Sequence, residues 1–167
     1  MTSRPVTVRD ASSADLEAIR AIYNEGIEDR VATLDVDAKS RDSMADWWSQ
    51  HTDRYGVLVA TESDEAIGWA ALNPFSYRCA HADIADLSVY VARDHRGRGI
   101  GYELLAHLTQ LAKERGFHKI VLHALNVNEH GKALYRKAGF NEVGIFREHG
   151  RLDGRFVDVV AMELLLQ

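Results

Sequence analysis

The chain of 167 residues contains one cysteine, Cys79, and two prolines. A single cysteine excludes an intrachain disulfide and a cysteine-based zinc site. Eight histidines occur, but none stands at His-x-x-x-His spacing, so no metal site is expected. No apolar run approaches the ~18 residues that span a bilayer, and the first ten residues lack the apolar core of a signal peptide. We therefore expect one cytoplasmic domain over residues 1–167, with no membrane partner.

Basic charge is also scarce. The chain has 20 Lys and Arg against 25 Asp and Glu, a net charge of −5, which argues against a general nucleic-acid binder. The exception is segment 93–98, Arg-Asp-His-Arg-Gly-Arg, where three arginines face one aspartate. A basic loop in an acidic chain indicates a small anionic ligand.

Hydrophobic periodicity predicts eleven elements in the order β-α-α-β-β-β-α-β-α-β-β. Antiparallel hairpins alternate with two βα crossovers, so the fold class is predicted as α+β, with a mixed, mostly antiparallel central sheet flanked by helices. The helices are predicted from Ser12 to about residue 29, at 41–53, from Ile100 to Gly116 and at 129–138. The strands are predicted at 5–9, 56–60, 66–72, 84–92, 119–124, 140–147 and 156–164.

The clearest strand, 84–92, has two distinct faces. Because successive side chains of a strand point to opposite faces, its apolar set is expected to face the core and its polar set to face away. The apolar set is Ala85, Leu87, Val89 and Val91, and the polar set is Asp86, Ser88 and Tyr90.

A glycine-rich loop, Arg96-Gly97-Arg98-Gly99-Ile100-Gly101, joins this strand to the long helix. The first turn of a helix offers unpaired N–H groups and partial positive charge, and glycines let a phosphate approach them. We therefore predict a pyrophosphate site, with a simple helix cap as the alternative. Two other nucleotide motifs are excluded, because Tyr102 occupies the last glycine position of a Rossmann fingerprint and no Walker A lysine follows.

The loop matches the R/Q-x-x-G-x-G/A signature of the GNAT acetyltransferase superfamily. Other segments follow in the superfamily's order: Ser88-Val89-Tyr90-Val91, Asn128, and Ala133-Leu134-Tyr135-x-x-Ala138-Gly139-Phe140. Three further segments resemble its phosphinothricin acetyltransferase branch: Tyr23-Asn24-x-x-Ile27-Glu28, Asn73-Pro74-x-x-x-Arg78 and Asp158-Val159-Val160. The resemblance covers nearly the whole chain.

The resemblance implies a GNAT-like fold, acetyl-CoA as co-substrate and no metal. It implies direct acetylation of the α-amino group of a small amino acid or a glutamate-like toxic analogue, of the phosphinothricin or methionine sulfoximine type, by a homodimer. The pyrophosphate is assigned to Arg96, Gly97, Arg98, Gly99, Ile100 and Gly101. The pantetheine arm is assigned to the backbone of Val89 and Val91, with Asn128 as a further contact that also suits a helix N-cap. The family often has Ser where this chain has Gly131.

Acetylation of an amine requires its neutral form, so a base is needed at neutral pH. The resemblance aligns Asp86 with the branch's catalytic glutamate; the alternative is a solvated strand carboxylate. Tyr135 matches the tyrosine that many members use as general acid, although the branch often has His there, and the alternative is an aromatic that packs on the sheet. A backbone N–H near Val89 is implied to hold the oxyanion.

For the acceptor, Arg78 matches an arginine that suits bidentate capture of a substrate carboxylate. The alternative for Arg78 is a surface ion pair with Asp83. Thr33, Leu34 and Trp48 are expected to line the substrate pocket. Two other functions stay open: acetylation of a protein N-terminus or lysine, and a non-catalytic module that senses acetyl-CoA.

Overall fold

A seven-stranded sheet forms the centre of the computed structural model, which describes residues 4–51 and 54–167. The strand order is β1-β2-β3-β4-β5-β7-β6, and every neighbouring pair is antiparallel except β4 and β5. The predicted mixed, mostly antiparallel sheet is confirmed. The strands are β1 Val6–Asp10, β2 Val57–Glu62, β3 Glu65–Pro74, β4 Ile84–Val91, β5 Lys119–Leu125, β6 Asn141–Leu152 and β7 Arg155–Leu165.

Helices cover both faces of this sheet. They are α1 Leu16–Glu28, α2 Arg41–Ser49, α3 Ile100–Glu114 and α4 Glu129–Lys137. Helices α1 and α2 bury Ile19 and Met44 against Trp69 on one face. Helix α3 buries Leu104 and Leu108 in the larger core on the other face, and α4 packs beside it. The apolar stripes predicted from helical spacing are therefore the faces that meet the sheet.

Strand β4 alternates as predicted. Ala85 and Leu87 are buried in the core with α3, whereas Tyr90 packs in the cluster under α1 and α2. Because side chains alternate along a strand, Asp86 and Ser88 lie on the same face as Tyr90. This alternation brings a carboxylate and a hydroxyl side by side on the α1 and α2 side of the sheet.

The parallel pairing of β4 with β5 is short. It comprises three residue pairs and ends at Asp86 and Val121, although β4 runs on to Val91 and β5 to Leu125. Beyond Asp86, β4 pairs in the described part of the chain only with β3. The two strands therefore separate, and one backbone edge of residues 87–91 faces the opening between them.

The turn between β6 and β7 was predicted correctly, but the lengths of these two strands were not. Asp153 and Gly154 form the β6–β7 turn with φ of 48° and 79°, the positive values that a type I′ hairpin turn requires. The predicted strands 140–147 and 156–164 were too short, because β6 continues to Leu152 past an irregularity between Phe146 and Gly150. Helix α2 ends at Ser49, earlier than predicted, and residues 52–53 of that prediction lie outside the described residues.

The entry to α1 is fixed by an ion pair. Asp15 is buried, accepts two hydrogen bonds of 2.8 Å from the Arg9 guanidinium, and accepts a 2.7 Å bond from the Ser12 N–H. The last bond is the acidic half of the predicted capping box. The Arg9 guanidinium holds the pKa of Asp15 below its usual range, although burial opposes it.

We expect Asp15→Asn to lower the free energy of unfolding by about 2 kcal/mol at pH 7, since charged hydrogen bonds are lost. A carboxyl pKa depressed by folding stabilises the protein above the unfolded value near 4, and this stabilisation disappears as pH falls through the folded value. The difference between wild type and variant should therefore shrink below pH 4. Urea unfolding at pH 7 and pH 3 measures it. The control Asp10→Asn changes an exposed neighbouring carboxylate, and an equal loss there would contradict the role of Asp15.

The helices of the described chain include none of the length and hydropathy that would cross a bilayer.

Candidate functional site

A cavity of about 680 Å³ opens where β4 and β5 separate. This volume is in the range of small-molecule sites. The wall brings together the β4 backbone edge, the glycine-rich loop, the start of α3, and α4. Of the predicted site residues it includes Val89, Val91, Arg96, Gly97, Gly99, Ile100, Gly101, Asn128 and Tyr135.

The glycine-rich loop presents free amides to this cavity. Gly97 and Gly99 have φ of 76° and 80°, and a Cβ at either position would meet nothing within 4 Å. The Glu103 N–H donates to the Gly99 carbonyl at 3.1 Å, so the amides of residues 100–102 precede the first bond within α3. Three N–H groups at a helix N-terminus, beside unobstructed glycines, fit a phosphate. The residues present therefore fit the pyrophosphate of acetyl-CoA.

The loop arginines are engaged by carboxylates. Arg96 donates to Asp29 at 2.5 Å and to the Val91 carbonyl at 3.1 Å, and Arg98 donates to Glu62 at 2.5 Å. Burial raises the pKa of Asp29, but its bonds from Arg96 and Arg93 outweigh burial and leave it below its usual value. The side chains thus tie the loop to the ends of α1 and β2. Arg98 is not part of the cavity wall, and its guanidinium is bound to Glu62. A phosphate contact of Arg98 therefore remains a prediction, and it concerns the backbone N–H.

Asn128 caps α4, as predicted. Its side-chain oxygen accepts the Gly131 N–H at 2.9 Å, and Asn128 also lines the cavity. A Cβ at position 131 would overlap the Asn128 amide. This contact explains the glycine at 131, since a serine there would displace the cap.

Asp86 lies beside the cavity rather than in its wall. Its side chain is 31% exposed, and its Oδ2 lies 3.9 Å from Nδ1 of His123, which does line the cavity. It stands at the last β4–β5 pair, where the strands begin to separate. A carboxylate at this position is accessible to an acceptor entering from the α1 and α2 side.

Tyr135 projects from α4 into the cavity wall. Burial raises the pKa of its hydroxyl, and Tyr90 and the charge of Asp86 raise it further. The hydroxyl therefore stays protonated throughout the neutral range and can donate a proton. Tyr135 also packs edge-on to Phe140, with ring centroids 6.0 Å apart.

The predicted acceptor residues are not part of the cavity wall. Thr33 and Leu34 belong to the α1–α2 connection, where the Thr33 hydroxyl accepts the Asp35 N–H at 3.1 Å and Leu34 packs over Gly150. Trp48 packs in the cluster under α1 and α2.

Arg78 is exposed and precedes a short 3-10 turn at Cys79–His81. The ion pair with Asp83 considered from the sequence is absent from the described structure, because Asp83 pairs with Arg54 at 2.8 Å.

Several cavity residues were not predicted from the sequence. His123 is exposed in strand β5, where the other residues of 120–125 are apolar, and a polar residue in such a run is the signal that would have found it. Tyr102 lies one residue beyond the matched signature. His95 lines the cavity and has a buried Nδ1 without a hydrogen-bond partner in the described structure. Among residues 4–51 and 54–167, no three His, Cys, Asp or Glu side chains cluster as metal ligands would.

Comparison with known proteins agrees with this geometry. The model of the acetyltransferase (GNAT) family matches residues 16–140. An L-methionine sulfoximine/L-methionine sulfone acetyltransferase of Pseudomonas aeruginosa is 32% identical, over 96% of this chain and 94% of the relative. A GNAT superfamily phosphinothricin acetyltransferase from Sinorhizobium meliloti, solved in complex with acetyl-CoA, has a TM-score of 0.92 at 32% identity, over 96% of this chain and 88% of that one. A ribosomal-protein-alanine N-acetyltransferase from Brucella melitensis has a TM-score of 0.92 at 34% identity, over 96% and 99%.

Proposed function

Because the chain belongs to the GNAT acetyltransferase family, we propose that it transfers the acetyl group of acetyl-CoA directly to the α-amino group of a small amino acid or a glutamate-like analogue. That it is an acetyltransferase follows from the family. The direct transfer and the acceptor class are the proposal. The proposed acceptors are of the phosphinothricin and methionine sulfoximine type, because similar proteins are named as acetyltransferases of these compounds.

The observation that carries the proposal is the convergence of three elements on one cavity. Residues of the glycine-rich loop, residues of the open edge of β4 and Tyr135 all line it, and Asp86 lies beside it. An extended chain that forms hydrogen bonds with residues 87–91 would add to β4 as a further strand. Such a chain would run from the phosphate site towards Asp86, the direction that the pantetheine arm of acetyl-CoA requires.

In the proposed reaction acetyl-CoA supplies an activated thioester. Loop amides of residues 97–101 hold its pyrophosphate, and the backbone of Val89 and Val91 orients its arm. Asp86 accepts a proton from the acceptor ammonium, directly or through a water, because an ammonium has no lone pair with which to attack. Tyr135 stays protonated until the thiolate departs and then donates its proton to it. The nitrogen loses its second proton as the amide forms, and that proton returns Tyr135 to its neutral form.

We expect Tyr135→Phe to lower kcat by about 10- to 100-fold with little change in the KM of either substrate, since only the proton is removed. Steady-state kinetics at saturating acetyl-CoA measures the effect. Tyr102→Phe is the matched control, because Tyr102 lines the same cavity near the phosphate loop. Equal rates for both variants and wild type would leave Tyr135 a packing residue.

Arg78 is proposed to clamp the acceptor carboxylate when the acceptor binds. We expect Arg78→Ala to raise the KM of an amino-acid acceptor by roughly 30-fold or more, while the KM of acetyl-CoA is unchanged. The control compares each acceptor with its carboxamide. Wild type should prefer the acid and the variant should barely distinguish the two; equal discrimination by both enzymes would place the carboxylate elsewhere.

A second candidate is acetylation of a protein N-terminus. The similarity to a ribosomal-protein-alanine N-acetyltransferase favours it. The exposed Arg78 favours the small acceptor instead, since the amino terminus of a longer peptide has no neighbouring free carboxylate. The two candidates therefore differ in whether an α-carboxylate next to the amine raises or lowers the rate.

A CoA-release assay over a panel of amines tests the proposed function. The panel contains phosphinothricin, methionine sulfoximine, methionine sulfone, polyamines and alanine-terminated peptides. The proposal expects the highest kcat/KM for the free amino-acid analogues. A preference for peptides would support the second candidate, and acetyl-CoA binding without release of CoA on any amine would support the sensor module.

We further propose that the protein works as a cytoplasmic homodimer. Strand β6 is an edge of the sheet, and it exposes 60% of Val143 and 48% of Ile145 on one face. A second copy that covered this apolar face would remove it from water. Light scattering should give twice the 18.7 kDa chain mass, and a monomer mass at micromolar concentration would contradict the dimer.

A further inference from the structure

A chain of hydrogen bonds crosses the sheet face beneath α2 and ends beside Asp86. His51 Nδ1 lies 2.8 Å from the Trp47 carbonyl, and His51 Nε2 lies 3.0 Å from the Asn73 side-chain oxygen. The Asn73 amide nitrogen lies 3.0 Å from Ser88 Oγ. The proposed function assigns no role to His51, Asn73 or Ser88.

Ser88 occupies a junction between two cavities. It lines the main cavity and also a second one of about 250 Å³ between α1, α2 and the sheet. It stands two residues beyond Asp86 on the same face of β4, so the two side chains are neighbours along the strand. Asn73 pairs with Asp86 across the β3–β4 ladder. The hydroxyl is thus half-buried at the place where an acceptor amine would approach Asp86.

The donors and acceptors of His51 and Asn73 determine where the Ser88 hydrogen can point. The Trp47 carbonyl only accepts, so His51 Nδ1 must carry a hydrogen, and Nε2 of a neutral imidazole must then accept. In the structure the Asn73 NH2 group donates to Ser88 Oγ and the Asn73 oxygen faces Nε2 of His51. A half-turn of the amide, at the same distances, would turn the NH2 group towards a neutral His51 and the oxygen towards Ser88. The orientation with the Asn73 oxygen at Nε2 requires the imidazolium, because both ring nitrogens then donate.

With neutral His51, the Ser88 hydrogen is donated to Asn73 and the oxygen lone pairs face the cavities. An amine about to attack directs its own lone pair at the thioester and presents N–H groups to its surroundings. Asp86 has taken the proton that freed this lone pair, and an N–H that remains on the amine needs a hydrogen-bond acceptor. Ser88 Oγ has both lone pairs available for the amine when its own hydrogen points to Asn73, and only one when Asn73 donates to it.

We propose that Ser88 binds the acceptor amine through its hydroxyl oxygen, and that Asn73 and His51 are positioning residues that set the direction of this hydroxyl. The proposal rests on the proposed function, since it names a further contact for the same amine. It places one determinant of amine orientation in the α2–β2 connection, away from the reacting atoms.

A double-mutant cycle tests the proposal. We expect Ser88→Ala to lower kcat/KM for the amine roughly 10- to 100-fold, with acetyl-CoA affinity unchanged, because a hydrogen bond to a charged or reacting group is lost. Ser88→Thr keeps the hydroxyl and should stay within about threefold of wild type by the same reasoning. His51→Phe keeps a ring against Trp47, whose centroid lies 4.1 Å away, and removes both nitrogens.

The His51→Phe loss should vanish in the Ser88→Ala background, because His51 acts only through Ser88. Independent, additive losses would overturn the relay and assign His51 to the fold. Should His51→Phe fail to fold, Asn73→Leu takes its place in the cycle, since it breaks the same connection closer to Ser88. Wild-type kinetics for Ser88→Ala would overturn the proposal while leaving the proposed function intact. A wild-type enzyme that acetylates none of the amines would overturn both.

Discussion

Replacing Gly99 by glutamate is expected to weaken acetyl-CoA binding by about 100-fold or more, since several charge-assisted hydrogen bonds to phosphate are lost together. Gly99 has φ of 80° at the N-cap of α3, and its Cβ direction is free of protein atoms. A glutamate would therefore place its carboxylate at the proposed phosphate site, next to the amides of residues 100–102. Calorimetric titration with acetyl-CoA measures the change.

The matched control for this prediction is Gly154→Glu. Gly154 has φ of 79° in the β6–β7 turn and likewise has nothing within 4 Å of its Cβ direction. It carries the same backbone strain and the same added charge, but it is not part of the cavity wall. Equal affinities in the two variants would mean that strain or net charge, rather than the phosphate site, governs binding. Unchanged affinity in a folded Gly99→Glu protein would move the cofactor site elsewhere.

Asp86→Asn is expected to lower kcat/KM at pH 7 by roughly 100-fold or more, because an amide keeps the shape of the carboxylate but cannot accept the proton. The affinity for acetyl-CoA should not change, since Asp86 lies outside the wall that holds the loop and the β4 edge. Steady-state kinetics with the best amine from the panel measures the effect. Asp83→Asn is the control, because Asp83 is a nearby exposed carboxylate that pairs with Arg54.

The pH dependence separates a base from a structural carboxylate. The α-amino pKa is about 8 at a peptide N-terminus and higher in a free amino acid, whose carboxylate stabilises the ammonium. The fraction of neutral amine therefore rises from pH 7 to pH 10, and the need for a base falls. The ratio of wild-type to Asp86→Asn rates should therefore narrow between pH 7 and pH 10. A constant ratio would indicate that the carboxylate holds the site together, and wild-type activity at pH 7 would remove Asp86 from the mechanism.

The order of elements, the two faces of β4 and the cap at Asn128 followed from local signals in the sequence. Spacing of apolar residues, positions of glycine and the chemistry of Asn and Asp act over a few residues, so they can be predicted without a structure. Segment 96–101 belongs to this class, because a strand, a glycine-rich turn and a helix follow one another directly.

The separation of β4 from β5 was not predictable in this way. It depends on where a parallel pairing between residues 35 positions apart in the sequence stops, and no local pattern marks that point. The ion pairs of Arg96 with Asp29 and of Arg98 with Glu62 also join residues that are distant in the sequence. No local pattern therefore indicated that these arginines are paired with carboxylates rather than available to a phosphate. The length of β6 was underestimated because an irregularity interrupts its alternation after Phe146.

The short pairing between β4 and β5 also bears on the thermodynamics of the fold. The sheet consists of β1–β4 and β5–β7, and three residue pairs connect the two parts. A co-substrate arm that forms hydrogen bonds along the free edge of β4 would widen this narrow connection. Because it would bind only the folded protein, its binding would stabilise the folded state. Each tenfold rise in free acetyl-CoA above its dissociation constant would then add about 1.4 kcal/mol to the free energy of unfolding. The lifetime of this enzyme in the cell would in that case follow the supply of the metabolite it consumes.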